Sequence, residues 1–107
     1  MKTYYVKITK EALSDMGVIY EYIAEMLNAP KAAMEQYNHI AKKIEDLAQF
    51  PERIKIMDME PWHSRKLRQM RVDNYAVFFI ISENTVIVTN VLYGASDIAE
   101  RLDSERI

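Results

Sequence analysis

The sequence contains no cysteine, which excludes disulfides, thiolate zinc sites and a thiol nucleophile. No apolar run approaches the roughly 20 residues that a membrane-spanning helix needs. The first residues, MKTYYVKIT, lack the apolar core of a signal peptide. The motifs of P-loops, dinucleotide-binding glycine turns, nucleophile elbows and HExxH zinc sites are also missing. These absences lead us to expect a cytoplasmic protein, not bound to membranes, that uses no metal or cofactor.

The length of 107 residues, half of them hydrophobic, suits one domain with its own core, and we expect a single domain over residues 1–107. The formal net charge of −2 argues against a general binder of polyanions, which is usually basic overall. The charge is unevenly distributed, because residues 61–72 carry four cations and no acid. This stretch is either a cationic binding patch or a solvated strand.

The first half of the chain predicts a strand followed by two helices. Apolar and polar residues alternate over residues 3–9, which is typical of a strand. Residues 10–28 and 30–49 each carry an apolar stripe at helical spacing, and Pro30 suits the first turn of the second helix. Because the link between the stripes is very short, we expect an antiparallel helical hairpin whose apolar face packs on a sheet.

The second half predicts three strands joined by tight turns. The pattern favours strands over residues 66–72, 75–82 and 85–93. Residues 52–64 show no long periodicity and are interpreted as a loop, and a short C-terminal helix is expected from about Asp97. The predicted fold class is therefore α+β, with the element order β-α-α-β-β-β.

The predicted sheet has more apolar surface than the helical hairpin can cover. Residues 75–81 and 86–91 are apolar at nearly every position, so both faces of these strands require cover. The helices bury one face only. The other needs the C-terminal segment, a second copy of the chain or a separate protein. Since residues 97–107 offer few apolar side chains, we expect an exposed apolar sheet face over residues 75–92 and an external partner.

The basic stretch supplies the main candidates for chemistry. Arginine suits phosphate, and tyrosine can stack on a nucleobase or bond to it. A nuclease hypothesis assigns catalysis to Arg65, Arg68, Arg71 and Tyr93, and RNA binding to Lys66, Tyr75 and His63. On a strand, Lys66 and Arg68 would share one face and Arg65 and Arg71 the other. Apart from His63, no residue stands out as a general acid or base.

The whole chain resembles the RelE/ParE superfamily of type II toxins, which includes proteins described as plasmid-stabilisation factors. The segments that carry the resemblance are YEYIAEMLNAPKAA, IEDLAQFPER, EPWHSRKLRQMRVDNYAVFF and VLYGASDIAERL. The resemblance implies a helical hairpin packed on a small twisted antiparallel sheet. It also implies a cognate antitoxin that wraps the toxin and covers its surplus apolar face.

Two activities occur in this superfamily. RelE-like members cleave mRNA on the ribosome without metal, whereas ParE-like members inhibit DNA gyrase. Arg65 and Arg68 match the basic strand of the family, and Tyr75 matches the tyrosine that follows the turn. The sequence departs from the RelE-like pattern at three positions: Ala76 replaces a common arginine, Tyr93 a common histidine and Ser96 an arginine.

The resemblance leaves three hypotheses for function. The leading hypothesis is a toxin that inhibits translation as a metal-independent mRNA endoribonuclease on the ribosome. The second is an inhibitor of DNA gyrase without nuclease activity. The third is a degenerate toxin that keeps only antitoxin binding. The expected partners are accordingly a cognate antitoxin, the ribosome with its mRNA or DNA gyrase, and a second copy of the chain as a possible homodimer.

Overall fold

The helices and strands follow the predicted order in the computed structural model, which describes residues 2–94. The elements are β1 (Tyr5–Ile8), α1 (Lys10–Glu21), α2 (Pro30–Glu45), β2 (Arg68–Val72), β3 (Tyr75–Ser82) and β4 (Thr85–Tyr93). Three short helical turns accompany the helices: a π-helical turn, Tyr22–Met26, and the 3-10 turns Asp46–Ala48 and Pro51–Arg53. The C-terminal helix expected from about Asp97 lies outside the described residues.

The helical hairpin forms where the apolar stripes predicted it. Thr9 caps α1, because its Oγ1 accepts a hydrogen bond from the amide of Ala12 at 3.1 Å. Regular α-helical bonding in this helix ends at Glu21, and the π-helical turn carries the chain to Met26. Pro30 begins α2 as predicted, but α2 ends at Glu45 rather than near residue 49, and a 3-10 turn follows it. The first helix is therefore shorter than residues 10–28, and the π-helical turn accounts for most of the difference.

The four strands form one sheet in the order β1-β4-β3-β2. Two-residue turns join β2 to β3 and β3 to β4, so these pairs are antiparallel. β1 pairs with β4 in parallel, from Tyr5 opposite Thr85 to Ile8 opposite Val88. The prediction of a fully antiparallel sheet was therefore wrong at one pair. Alternation of side chains shows which residues share a face. It does not show whether a strand runs parallel or antiparallel to a strand far away in the sequence.

The main core lies between the helical hairpin and one face of the sheet. Its fully buried side chains include Met16 of α1, Ile40 and Ile44 of α2, and Val77 and Phe79 of β3. Val77 and Phe79 face the helices, whereas their neighbours Ala76 and Phe78 face the other side of the sheet. Met16, Ile40 and Ile44 thus serve packing, as the sequence indicated, whereas Met34 of α2 is 49% exposed.

The other face of the sheet is covered by the chain itself. Trp62 and Leu67, from the segment between α2 and β2, pack on Ala76, Phe78 and Leu92 in a second buried cluster. Phe78 has no exposed surface. The expectation of an exposed apolar face over residues 75–92 was therefore wrong for these positions. Their cover comes from the stretch interpreted as a loop, which lacks periodicity but contributes a large indole side chain.

Candidate functional site

The turn between β2 and β3 organises one end of the sheet. Arg71, the exposed arginine near the end of β2, donates from Nε to the backbone carbonyl of Asp73 at 3.1 Å. The neighbouring carbonyl of Asn74 accepts a hydrogen bond from the amide of Gly94 at 2.7 Å. Gly94 directly follows Tyr93, the last residue of β4. The turn therefore holds Arg71 and the end of β4 at the same corner of the molecule.

Two of the predicted tyrosines meet beside this turn. Tyr75 and Tyr93 are direct neighbours across β3 and β4, and their rings lie edge to face with centroids 5.8 Å apart. Tyr93 is 55% exposed. Burial raises the pKa of Tyr75 above its ordinary value, and the nearby Tyr93 and Tyr22 raise this pKa further. Tyr75 is therefore neutral at physiological pH, so it can donate a hydrogen bond but is a poor base.

The side chain of Asp73 connects this turn to α2. Its Oδ2 accepts hydrogen bonds from Nε2 of Gln36 at 3.0 Å and from Nδ1 of His39 at 2.7 Å. The hydrogen bond from Gln36 and, to a smaller extent, that from His39 hold the pKa of the Asp73 carboxyl below its usual range. Sequence reasoning missed these three residues. The only sequence signal for this contact was that Gln36 and His39 are three residues apart on the second helix and therefore share one helical face.

Arg68 lies at the other end of β2 and has internal partners. Its Nη1 donates to the backbone carbonyls of Ile54 at 2.6 Å and of Glu52 at 3.2 Å. These bonds tie the segment after α2 to the first residue of β2. This arginine therefore has a structural role that the sequence did not indicate.

The remaining predicted residues lie in the turns before β2. His63, Arg65 and Lys66 are exposed, and Nδ1 of His63 lies 3.0 Å from the carbonyl oxygen of Met57. Lys66 has a positive φ of 59°, and the strand begins two residues later at Arg68. The prediction that Lys66 and Arg68 share one face of a strand was therefore wrong. The seven candidates therefore form three groups. Arg71, Tyr75 and Tyr93 lie on strands near the β2–β3 turn, Arg68 lies at the start of β2, and the other three lie in the turns before it.

Within residues 2–94 no three histidine or acidic side chains are grouped closely enough to hold a metal ion. No helix in the same range is both long and apolar enough to span a membrane.

The two glycines allow a matched test of the local packing. Apart from its neighbours and the backbone of its own helix, a Cβ at Gly17, in the middle of α1, would meet no atom within 4 Å. A Cβ at Gly94 would lie 2.9 Å from the carbonyl oxygen of Asn74. We expect Gly17→Ala to stabilise the protein by about 0.5–1 kcal/mol, because alanine favours the helix. We expect Gly94→Ala to destabilise it by about 1–3 kcal/mol through overpacking.

Urea unfolding of both glycine variants measures these effects. Equal stability of Gly94→Ala and the parent chain would contradict the close approach of the β2–β3 turn to the end of β4.

Comparison with known proteins agrees with this geometry. The sequence matches the family described as "ParE toxin of type II toxin-antitoxin system, parDE" over residues 6–98. No curated protein sequence matches it significantly. A chain of the chromosomal ParDE toxin–antitoxin system from P. aeruginosa superposes with a TM-score of 0.73 at 14% identity, over 87% of this chain and 98% of that one.

A second similar structure is a chain of the toxin–antitoxin complex RelBE2 from Mycobacterium tuberculosis. It superposes with a TM-score of 0.61 at 19% identity, over 85% of this chain and 98% of that one. At such identities the two structures show a shared fold, and they confirm the predicted α+β architecture. The match of the family over residues 6–98 is the stronger finding. This chain therefore belongs to the ParE toxin family of type II toxin–antitoxin systems.

Proposed function

We propose that this toxin arrests growth by binding DNA gyrase, without cleaving RNA, and that a cognate antitoxin neutralises it. The observation that carries the proposal is the separation of the candidate cations. Arg68 is bonded to backbone carbonyls, and Arg65 and Lys66 lie in turns before the strand. Of these four cations, only Arg71 lies at the end of the sheet that carries the tyrosine pair, and it is on the opposite face, since it pairs with Ala76. Cleavage of RNA requires charge stabilisation and proton transfer at one phosphate, so dispersed cations are poorly suited to it.

The surface near the tyrosine pair is suited to contact with a protein. Val18, Tyr22 and Met26, spaced four residues apart on α1 and its π-helical turn, are 62%, 54% and 75% exposed. Tyr22 also interacts electrostatically with Tyr75 of the pair and contributes to its raised pKa. Exposed apolar and aromatic side chains of this kind are typical of the central part of a protein interface. The ParE-like toxins that the sequence resembles inhibit gyrase, a protein target.

One observation favours a second candidate function, cleavage of mRNA on the ribosome. Arg71 and Tyr93 are both exposed at the same end of the sheet, on its two faces, where an arginine could hold a phosphate and a tyrosine could contact a base. The net charge of −2 weighs against this candidate, because binding to the ribosome benefits from a strongly cationic surface.

The deciding experiment expresses the chain without an antitoxin and examines both targets in parallel. We expect growth arrest, unchanged RNA 5′ ends, and inhibition of DNA supercoiling by purified gyrase. We expect the exposed Arg71 to contact the target, so Arg71→Ala should weaken this inhibition by about tenfold. Arg65→Ala is the matched control, since it removes the same charge from an exposed position away from the tyrosine pair.

New RNA 5′ ends within translated messages, together with unaffected gyrase, would reject the proposal in favour of mRNA cleavage. Absence of arrest with both targets unaffected would leave the degenerate-toxin hypothesis.

A further inference from the structure

A polar contact joins α2 to the β2–β3 turn on the surface of the molecule. Gln36 and His39 lie on one face of α2 and donate to the same oxygen, Oδ2 of Asp73, at 3.0 and 2.7 Å. Asp73 is the first residue of the turn and has a positive φ of 54°, a conformation that aspartate tolerates better than most residues. The helix therefore restrains a turn whose backbone already departs from the commonest conformations.

The backbone of the same turn restrains the exposed arginine and the end of β4. The Asp73 carbonyl accepts from Nε of Arg71, and the Asn74 carbonyl accepts from the amide of Gly94. A Cβ built on Gly94 would lie 3.6 Å from Cζ of Arg71, so the guanidinium and the end of β4 are close. Within residues 2–94 the structure gives Arg71 no hydrogen bond through its Nη atoms.

We propose that Gln36 and His39 are positioning residues that hold Arg71 in its binding orientation through Asp73. The proposal rests on the proposed function, in which Arg71 contacts the target. The helix fixes the Asp73 side chain, the fixed residue presents its carbonyl to Nε, and the anchored guanidinium directs its Nη atoms outward. An arginine held in this way loses less side-chain entropy when it binds a carboxylate than a free one does.

The first test measures Arg71 directly in the full-length chain labelled with ¹⁵N-arginine. Arg71→Lys identifies the Nε–H resonance by removing it. In Gln36→Ala/His39→Ala we expect hydrogen exchange of this Nε–H to accelerate about fivefold, the factor that corresponds to one ordinary net hydrogen bond. The control, Lys31→Ala/Glu35→Ala, makes two exposed changes on the same helix and should leave the exchange rate unchanged.

The second test asks whether the restraint matters for binding. Inhibition of gyrase should weaken about fivefold in Gln36→Ala/His39→Ala and stay unchanged in Lys31→Ala/Glu35→Ala. His39→Gln keeps a neutral hydrogen-bond donor, so this variant should retain more of the parent's inhibition of gyrase than His39→Ala does. A residue with a merely structural role would lower thermal stability without changing the exchange of Nε–H.

The outcomes separate the two proposals. Unchanged Nε–H exchange in Gln36→Ala/His39→Ala would overturn the positioning role, whatever the target of the toxin. Faster exchange with full inhibition of gyrase would also overturn it, because the restraint would then have no effect on binding. If the parent chain does not inhibit gyrase, the proposed function fails, and the exchange measurement still decides whether α2 holds Arg71.

Discussion

Replacing Trp62 by alanine is expected to lower the free energy of unfolding by about 3–5 kcal/mol, one of the largest effects of any single substitution in this chain. Trp62 is 2% exposed and packs with Leu67 on Phe78 of the sheet. Its removal leaves a cavity over the face that lies away from the helices. Urea unfolding monitored by circular dichroism measures the loss.

Trp62→Phe and Met59→Ala are the controls for this prediction. Within residues 2–94 the buried indole Nε1 of Trp62 has no hydrogen-bond partner. Phenylalanine therefore loses volume but no hydrogen bond to these residues, and should cost only about 1–2 kcal/mol. Met59 belongs to the same segment but is 52% exposed, and its change should stay within about 0.5 kcal/mol. A Trp62→Ala protein as stable as Met59→Ala would show that the segment does not seal the sheet in solution.

Replacing Arg68 by methionine is expected to destabilise the fold by about 1–3 kcal/mol, because two backbone carbonyls lose a charged donor. The carbonyls belong to Ile54 and Glu52, at 2.6 and 3.2 Å from Nη1. This loss of stability is at the lower end of the range expected for two hydrogen bonds from a charged donor, because part of the contact is exposed to solvent. Methionine keeps much of the apolar stem, so the loss reports mainly on the hydrogen bonds.

The Arg68 substitution separates a structural from a catalytic role. The nuclease hypothesis assigned Arg68 to catalysis, and the loss of a purely catalytic residue would leave the fold intact. The structure predicts reduced stability, measured by thermal unfolding, while Arg65→Ala should unfold like the parent chain. If the Arg68→Met protein were as stable as the parent and still failed to arrest growth, a direct contact of Arg68 with the target would be the better explanation.

Local patterns in the sequence were sufficient to predict the elements of the fold. The stripes of α1 and α2 and the alternation in β1 each reflect contacts within a few residues, and these patterns depend on helical and strand geometry alone. The boundaries of β3 and β4 matched the predicted ranges 75–82 and 85–93. The end of α1 was less predictable, because nothing in the pattern distinguishes a π-helical turn from a continued α-helix.

The candidate site was predicted only in part. Residue types suited to anion and base contacts were identified, and Arg71, Tyr75 and Tyr93 do lie at one end of the sheet. Gln36 and His39 were missed, since they reach Asp73 from more than 30 positions away in the chain. The catalytic and RNA-binding assignments remain predictions.

The sequence by itself determined the α+β class, the helical hairpin and the requirement that both faces of the central strands be covered. Only the tertiary structure decided which segment provides that cover, which direction β1 takes and which carbonyls bind Arg68. These features depend on contacts between residues far apart in the chain. Composition and periodicity describe the surface that must be buried, but they do not specify the segment that buries it.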